Sequence, residues 1–338
     1  MPGWNLVNGE CKKENIKDDE IWAIINNIFS NKSYRTTTYK YCFFKCILDN
    51  LFNVDESLSL DFITIFTRFA EIYWNLVAKH HLRQIQDNSR WTKSSIEIII
   101  ENIISQYKLD NNIIFEALKA NIQIELIKKV SAECSKNVIG AFYFDSKECF
   151  YGFSKKRKTI WFNSNVYALL VKYKNVIEKL NYYEWIKFLE KVNPSDTVYA
   201  IAEKLDYSSK RNNLSAYKEY LLLNFNQNSC FYCGTPLRNS SVEVDHFIPW
   251  SFSKDDKLWN FVLSCRTCNN SKRDRLASEN YTHAIINRNL LMVNDQINKI
   301  VRFDFKGYTG QKIVKMYESA VFNGFGFGWY PKNEKMNL

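Results

Sequence analysis

The strongest constraint on the fold is a pair of C-x2-C motifs in the C-terminal half of the 338-residue chain. Cys230 and Cys233 form the first pair, and Cys265 and Cys268 form the second about thirty residues later. Each motif presents two thiolates to one point, and four thiolates complete a tetrahedral zinc site with no open position for catalysis. Gly234 permits the tight turn that such a knuckle needs. The motifs therefore predict a structural zinc site, with four unrelated buried thiols as the alternative.

The segment between the two cysteine pairs has the order strand, loop, strand, and a helix follows it. Val242–His246 carries alternating valines, and Pro249 ends this run. A second strand-like run covers residues 258–264 and leads into the second cysteine pair, after which the residues from Asn269 onward have helical character. These elements predict a small α+β module that zinc holds together.

The order of residues in this module resembles the HNH endonuclease family. The pattern C-x2-C, then V-D-H-x-x-P, then N-x-V-L-x-C-x2-C-N-N-x-K lies within residues 228–276, about a sixth of the chain. The resemblance implies a zinc-stapled ββα-metal module that hydrolyses phosphodiester bonds in nucleic acid. It does not extend to the flanking helical regions.

The resemblance also implies a role for each residue of the motif. His246 is the expected general base, and an imidazole suits this role because it is partly neutral near pH 7. Asp245 and Asn269 are the expected ligands of a catalytic metal, and Asn270 is a neighbouring candidate for the role of Asn269. Asn260 is expected to brace the loop and to orient the base.

The last letter of the motif differs from the family name, because Asn269 stands where a His would be. Arg273 occupies a further helical position where some members place another His, and an arginine cannot ligate a metal. An aspartate and an amide oxygen are hard ligands, which favour hydrated Mg²⁺ or Mn²⁺ over a soft transition metal. The expected cofactors are therefore structural Zn²⁺ and catalytic Mg²⁺ or Mn²⁺.

Two geometric conditions accompany this interpretation. Neighbouring strand residues point to opposite faces, so Asp245 and His246 can reach one site only if the strand bends or ends there. On the following helix, Asn269, Lys272 and Arg273 share a face at i, i+3 and i+4. The N-terminus of that helix would favour a phosphate through its free N–H groups and its dipole.

Basic residues in two segments are candidate contacts to a nucleic-acid backbone. On the predicted helix these are Lys272, Arg273 and Arg275. The second group is Lys155, Lys156, Arg157 and Lys158, between the strand-like runs CFYGF and TIWFN. This pattern predicts a short hairpin near residues 146–163 with a charged tip. For both groups, a merely solvated surface is the alternative.

Residues 19–135 have the apolar periodicity of amphipathic helices. The predicted helical segments cover residues 19–31, 36–53, 59–81, 93–107 and 112–132, and helical texture resumes after the hairpin. Cys42 and Cys46 are four residues apart on one aromatic helix, without further ligands in the sequence nearby. We therefore predict that these two thiols pack in a core rather than bind a metal.

The composition is consistent with an ordered protein that binds a polyanion. Hydrophobic residues make up 46% of the chain, with only 10 Gly and 5 Pro, which favours a folded and mainly helical protein. The formal net charge of +10 favours nucleic acid or an anionic membrane face as a partner. No segment has the apolar length of a signal peptide or a membrane span. A cytoplasmic location is expected, with the cysteines free or metal-bound.

These observations predict a mainly α chain with a small α+β module in three parts. Residues 1–215 form a helical region that positions substrate or recognises a protein partner, residues 216–285 form the HNH nuclease module, and residues 286–338 contribute helices and an aromatic tail that pack on the module. DNA is the favoured substrate through the family resemblance. Restriction, phage defence and mobile-element biology are the natural settings of such a protein.

Three alternatives remain open at this point. The first is a ribonuclease that uses the same site, because no residue here reads a sugar hydroxyl. The second is a non-catalytic zinc module that binds nucleic acid or protein. The third is a structural subunit whose helical part assembles a larger complex, with cleavage gated by a partner.

Overall fold

Helices account for most of the residues that the computed structural model describes, which are 6–30, 36–87, 92–197, 199–207, 214–237, 242–295 and 298–332. The chain divides into two compact units, residues 1–210 and 211–338. The first unit is helical with one small sheet, and the second carries the cysteine motifs on a strand pair and a helix. The predicted fold class, mainly α with a small α+β module, is therefore confirmed. None of the described helices has the length and apolar composition that crossing a bilayer requires.

The first unit has eight α-helices within its described residues. They are α1 (Asp18–Phe29), α2 (Tyr39–Asp49), α3 (Phe62–Trp74), α4 (Ser95–Tyr107), α5 (Ala120–Asp145), α6 (Ser164–Lys172), α7 (Lys174–Val192) and α8 (Ile201–Tyr207). Ser94 begins α4 with a reciprocal capping pair: its hydroxyl accepts from the Glu97 backbone N–H, and the Glu97 carboxylate accepts from the Ser94 N–H. Helix α2 is buried along its length, and Cys42 and Cys46 lie fully inside the core. The prediction that these cysteines serve packing is confirmed.

A four-stranded antiparallel sheet packs with these helices. Its strands are β1 (Asn8–Gly9), β2 (Ser59–Asp61), β3 (Tyr151–Ser154) and β4 (Thr159–Phe162), in the order β1-β3-β4-β2. The helix predicted to begin at Ser59 begins instead at Phe62, because residues 59–61 pair with residues 159–161 of β4. Strands β3 and β4 form a hairpin whose tip is the basic run 155–158, which is mostly exposed.

The second unit is built around one strand pair. Its elements are α9 (Ser215–Glu219), β5 (Val242–His246), α10 (Trp250–Ser253), β6 (Phe261–Cys265), α11 (Arg266–Lys272), α12 (Asn280–Met292), α13 (Lys299–Asp304) and α14 (Gly310–Phe322). Strands β5 and β6 are antiparallel, with Val242 opposite Cys265 and His246 opposite Phe261. Helix α11 follows β6 directly and packs on both strands. The strand–strand–helix order thus places the second cysteine motif at the junction of β6 and α11.

The C-terminal residues are attached to the segment that follows α11. The backbone of Trp329 exchanges hydrogen bonds with Leu276 and Ser278, and Gly326 accepts from the Leu276 N–H. The indole N–H of Trp329 also donates to the hydroxyl of Ser271 at 3.1 Å. These contacts attach the C-terminal residues to α11 and to the segment that follows it.

Candidate metal and catalytic site

The four cysteines of the two C-x2-C motifs converge on one point. Their sulfur atoms all lie within 4.8 Å of one another, and the Sγ atoms of Cys233 and Cys265 are 3.8 Å apart. Tetrahedral zinc with Zn–S bonds of about 2.3 Å requires sulfur atoms about 3.8 Å apart. The geometry of Cys230, Cys233, Cys265 and Cys268 therefore fits a structural zinc site.

Local backbone geometry explains why the first motif forms a knuckle. The Gly234 N–H donates to the carbonyl of Cys230 at 2.9 Å, and Gly234 has φ +68°, a conformation that glycine adopts without strain. The Cys230 N–H donates in turn to the carbonyl of Thr235 at 2.8 Å.

Burial, together with negative charge on Cys230, raises the pKa of the Cys268 thiol. Four thiolates at this distance therefore need a bound cation, as expected for a zinc site.

Asp245 is held by two buried donors. Its Oδ2 atom accepts a hydrogen bond of 2.5 Å from the Tyr232 hydroxyl and lies 3.0 Å from Nζ of Lys272. The same Lys272 ammonium donates to the backbone carbonyl of His246 at 2.8 Å. Asp245 is 6% exposed and Lys272 is 0% exposed, so this ion pair is shielded from solvent.

The burial of Lys272 contradicts the prediction that it contacts phosphate from an exposed helical face. Helix α11 ends at Lys272 and lies against β5 and β6, so the face that carries this lysine turns toward Asp245. Arg273 and Arg275 remain exposed. The predicted helical face is therefore divided, with Lys272 inside the module and the two arginines at its surface.

Asp245 shares an open cleft with the second half of α11 and the two residues that follow this helix, whereas the sequence predicted a helix that starts at Asn269. The cleft is lined by Asp245, Asn269, Asn270, Arg273 and Asp274. Among the described residues, no hydrogen bond is made to the second carboxylate oxygen of Asp245, Oδ1. This donor set of carboxylate and amide oxygens suits a hard divalent cation. Asn269 and Asn270 both line the cleft, so both remain candidates for the amide ligand.

His246 is the last residue of β5 and has different neighbours from Asp245. Its Nε2 atom lies 2.8 Å from Oδ1 of Asp256, and its ring packs edge-on against Phe261 with the ring centroids 4.6 Å apart. The imidazole is 3% exposed. His246 does not line the cleft of Asp245, as the alternation of strand side chains requires. The structure therefore brings Asp245 together with Asn269 and places the His246 ring against the loop that precedes β6.

Asn260 clamps the chain immediately after His246. Its side chain is fully buried, accepts from the Ile248 N–H at 2.8 Å and donates to the Ile248 carbonyl at 2.9 Å. The backbone carbonyl of Asn260 also accepts from the Phe247 N–H at 2.8 Å. These three bonds hold residues 247 and 248 to the start of β6, which supports the predicted bracing role.

Several residues that support the site carry no signal in the sequence. Arg288 in α12 donates to the carbonyl of Phe261, and burial lowers the pKa of its guanidinium to about 10. Its neighbour Asn289 donates to the carbonyl of Trp259 at 2.8 Å. Tyr232 and Asp256 are also supporting residues that the sequence does not reveal, because only the folded chain brings them to Asp245 and His246. A single tyrosine inside C-F-Y-C or one of two adjacent aspartates does not indicate such a contact.

The comparisons with known proteins agree with this geometry. Residues 230–278 match the family model described as HNH endonuclease. No curated protein and no solved structure matches the chain. The family match indicates a nuclease-type function with nucleic acid as the ligand. The segment 230–278, with its four-cysteine cluster, is therefore similar to the zinc-type HNH endonucleases.

Proposed function

We propose that this protein is a metal-dependent endonuclease that hydrolyses phosphodiester bonds, with DNA as its preferred substrate. The observation that carries the proposal is the open cleft that Asp245 lines together with Asn269 of α11. The next residue after Asp245 is His246, whose ring is held by a carboxylate. Asp245 and His246 are thus adjacent residues at the end of β5, and the imidazole is not among the groups that line the cleft.

Asp245 and Asn269 would hold the catalytic Mg²⁺ or Mn²⁺, with Asn270 and Asp274 also at the cleft. When bound there, the metal supplies stabilisation of the charge that develops on the phosphate and on the leaving oxygen. Tyr232 and Lys272 both bond to Oδ2 of Asp245 and so orient its carboxylate. The carboxylate is thereby positioned before any substrate arrives.

His246 would accept a proton from the water that attacks the phosphorus atom. Asn260 keeps the chain after His246 in place, so that the imidazole cannot move away with its loop. Arg273 and Arg275 are exposed beside the cleft residues of α11 and would contact phosphates of the substrate. The basic hairpin tip at residues 155–158 in the first unit would add further backbone contacts.

The preference for DNA rests on the family resemblance. For the same reason, we place the activity in restriction, phage defence or the biology of mobile elements. The helical first unit would position the substrate or recognise a protein partner. A ribonuclease with the same site is distinguished by substrate rather than by any residue described above.

A cleavage assay on the zinc-loaded 338-residue chain tests the proposal. Supercoiled plasmid, single-stranded DNA and RNA of matched sequence are incubated with Mg²⁺, Mn²⁺ or EDTA. We expect DNA cleavage that requires the divalent metal and is abolished by His246→Ala. His283→Ala is the matched control, since His283 lies exposed on α12.

Each other outcome has a definite meaning. Cleavage of RNA alone would identify a ribonuclease, and binding to nucleic acid without cleavage would identify a binding module. Full activity of the His246→Ala protein would refute the assignment of the base. Zinc content and unfolding temperature are measured for every variant, so that a loss of activity is not mistaken for a loss of folding.

A further inference from the structure

We infer that Asp256 is the positioning residue of His246: its carboxylate holds the imidazole in the tautomer that leaves Nδ1 as the proton acceptor. This inference rests on the proposed function, because it concerns the residue proposed as the general base. Oδ1 of Asp256 lies 2.8 Å from Nε2 of His246. The two side chains are 7% and 3% exposed, so water does not compete for this bond.

The chemistry of the pair determines which nitrogen carries the proton. An ionised carboxylate only accepts hydrogen bonds, so the bond requires a proton on Nε2. In a neutral imidazole the other nitrogen then carries the lone pair. Nδ1 of His246 is therefore the atom that can take a proton from water.

The loop that carries Asp256 is held by hydrogen bonds at Asp256 itself and two residues later. The backbone carbonyl of Asp256 accepts from the Tyr217 hydroxyl at 3.2 Å, and the Tyr217 ring packs on Phe261 at 4.7 Å between centroids. Phe261 in turn packs against the imidazole of His246. Two residues after Asp256, the Leu258 N–H donates to Asp304 at 2.8 Å. The hydrogen bonds of this loop to Tyr217 and Asp304 thus hold the Asp256 carboxylate next to His246.

The neighbouring Asp255 offers a matched comparison. It precedes Asp256 in the same loop and has the same side chain, but the carboxylate bonded to the imidazole is that of Asp256. Changing either residue to asparagine removes one charge and preserves the shape. Only the change at Asp256 alters the group that bonds to Nε2, because an amide can donate its own N–H and favour the opposite tautomer.

The decisive measurement is the ¹⁵N NMR spectrum of the histidine rings in the zinc-loaded 338-residue chain without added Mg²⁺. The chain has four histidines, and the His246→Ala spectrum assigns the His246 signals by their absence. At a pH where the imidazole is neutral, we expect the Nε2–H tautomer in the wild-type protein. We expect Asp256→Asn to shift His246 toward the Nδ1–H tautomer and Asp255→Asn to leave it unchanged.

Cleavage kinetics supply the second readout. We expect Asp256→Asn to lower kcat by about 10- to 100-fold, the range seen when a supporting partner of a functional histidine is lost, with little change in KM. Asp255→Asn should leave kcat within about twofold of the wild-type value.

An Nδ1–H tautomer in the wild-type protein would overturn the inference without any variant, as would wild-type kcat in Asp256→Asn. If the wild-type protein does not cleave nucleic acid, the proposed function fails. The NMR result still decides separately whether Asp256 determines the tautomer of the His246 imidazole.

Discussion

The hydroxyl of Tyr232 donates a 2.5 Å hydrogen bond to Oδ2 of Asp245, and Tyr232 lies between the two cysteines of the first C-x2-C motif. Burial and the charge of Asp245 raise the pKa of the Tyr232 hydroxyl, so it stays protonated and remains a donor. One side chain therefore joins the four-cysteine cluster to the proposed metal ligand. Disturbing the zinc knuckle should disturb the cleft as well.

Removing this bond tests the connection between the two sites. We predict that Tyr232→Phe lowers kcat by about 10-fold or more, because Asp245 loses one of its two orienting partners. The free energy of unfolding should fall by about 1–3 kcal/mol, since a hydrogen bond to a buried charge is lost. Zinc content should stay at one per chain. Urea unfolding, metal analysis and cleavage rates on the same preparation check these values.

Phe231→Leu is a suitable control for Tyr232→Phe. Phe231 is the neighbouring aromatic residue in the knuckle, and its ring packs on Tyr232 and Phe247 without a polar group. Its replacement should cost some stability but should affect kcat less than Tyr232→Phe. Equal losses of kcat in the two variants would mean that packing of the knuckle, and not the hydrogen bond, controls Asp245.

Removal of one zinc ligand should cost metal and structure together. We predict that Cys265→Ser lowers zinc content and destabilises the second unit, because folding of such a module is coupled to metal binding. Cys11→Ser is the control, because Cys11 belongs to the first unit and is not a member of the four-cysteine cluster. Metal analysis and hydrogen exchange measure the two effects. A Cys265→Ser protein with full zinc and unchanged exchange would contradict the site.

Lys272 offers a test of its buried position. We predict that Lys272→Met lowers the free energy of unfolding by about 3–5 kcal/mol, because it leaves the buried carboxylate of Asp245 without its cation. The double variant Asp245→Asn with Lys272→Met should recover much of that loss, since neither charge then remains buried. Urea denaturation of the two variants measures the difference. Unchanged stability of Lys272→Met would instead favour a solvated lysine that contacts substrate.

The exposed arginines after α11 should behave differently from Lys272. We predict that Arg275→Ala leaves stability nearly unchanged and weakens binding of a catalytically inactive His246→Ala protein to DNA. Loss of one phosphate contact should reduce the slope of log Kd against log salt concentration by about 1. Fluorescence anisotropy over a range of salt concentrations measures this slope. An unchanged slope would mean that Arg275 does not contact a phosphate of the DNA.

The lowered pKa of His80 predicts that the first unit loses stability as the pH becomes acidic. Burial, followed by the nearby Lys204 and Lys79, lowers the pKa of His80 to about 4. An ordinary histidine has a pKa of about 6.5, so the unfolded chain binds a proton at a pH where the folded chain does not. The contribution of this neutral imidazole to stability is present above about pH 6.5 and is lost as the pH falls toward 4.

His80→Gln should therefore flatten the pH dependence of unfolding between pH 6.5 and about 4. Urea unfolding at several pH values in this window gives the slope for each protein. The control is His283→Gln, because His283 is an exposed histidine on α12 of the second unit. Equal slopes for wild type and His80→Gln would show that other groups govern the acid sensitivity.

Much of the second unit could be predicted because its signals are local. Two thiolates separated by two residues meet at one point through the turn between them, and the turn is recognisable from Gly234. Alternating residues in Val242–His246 indicate a strand whose partner leads into the second motif. For the same reason, the end of β5 at His246 could be anticipated from the nearby Pro249. Short-range spacing was sufficient for each of these features.

The first unit shows where such local reasoning stops. Residues 59–61 continue the apolar pattern of the helix that follows, yet they form a strand because β4 supplies their hydrogen-bond partners about a hundred residues later. Helical periodicity could not indicate that partner. Helices α1, α2 and α4 lie within a few residues of their predicted bounds. Helix α5 differs more, because it begins at Ala120 rather than at residue 112 and continues to Asp145 rather than to residue 132.

The sequence by itself determined the elements of the module: four thiols in two knuckles, a strand that ends in an Asp-His pair, and an amide on the helix that follows the second knuckle. Only the tertiary structure decided which side chains orient that pair. Lys272 reaches Asp245 because α11 lies on the strand pair, and Asp256 meets His246 because the fold brings the loop that precedes β6 to the end of β5. Residue spacing along one element sets which groups are near each other, whereas packing between elements sets their direction and their burial.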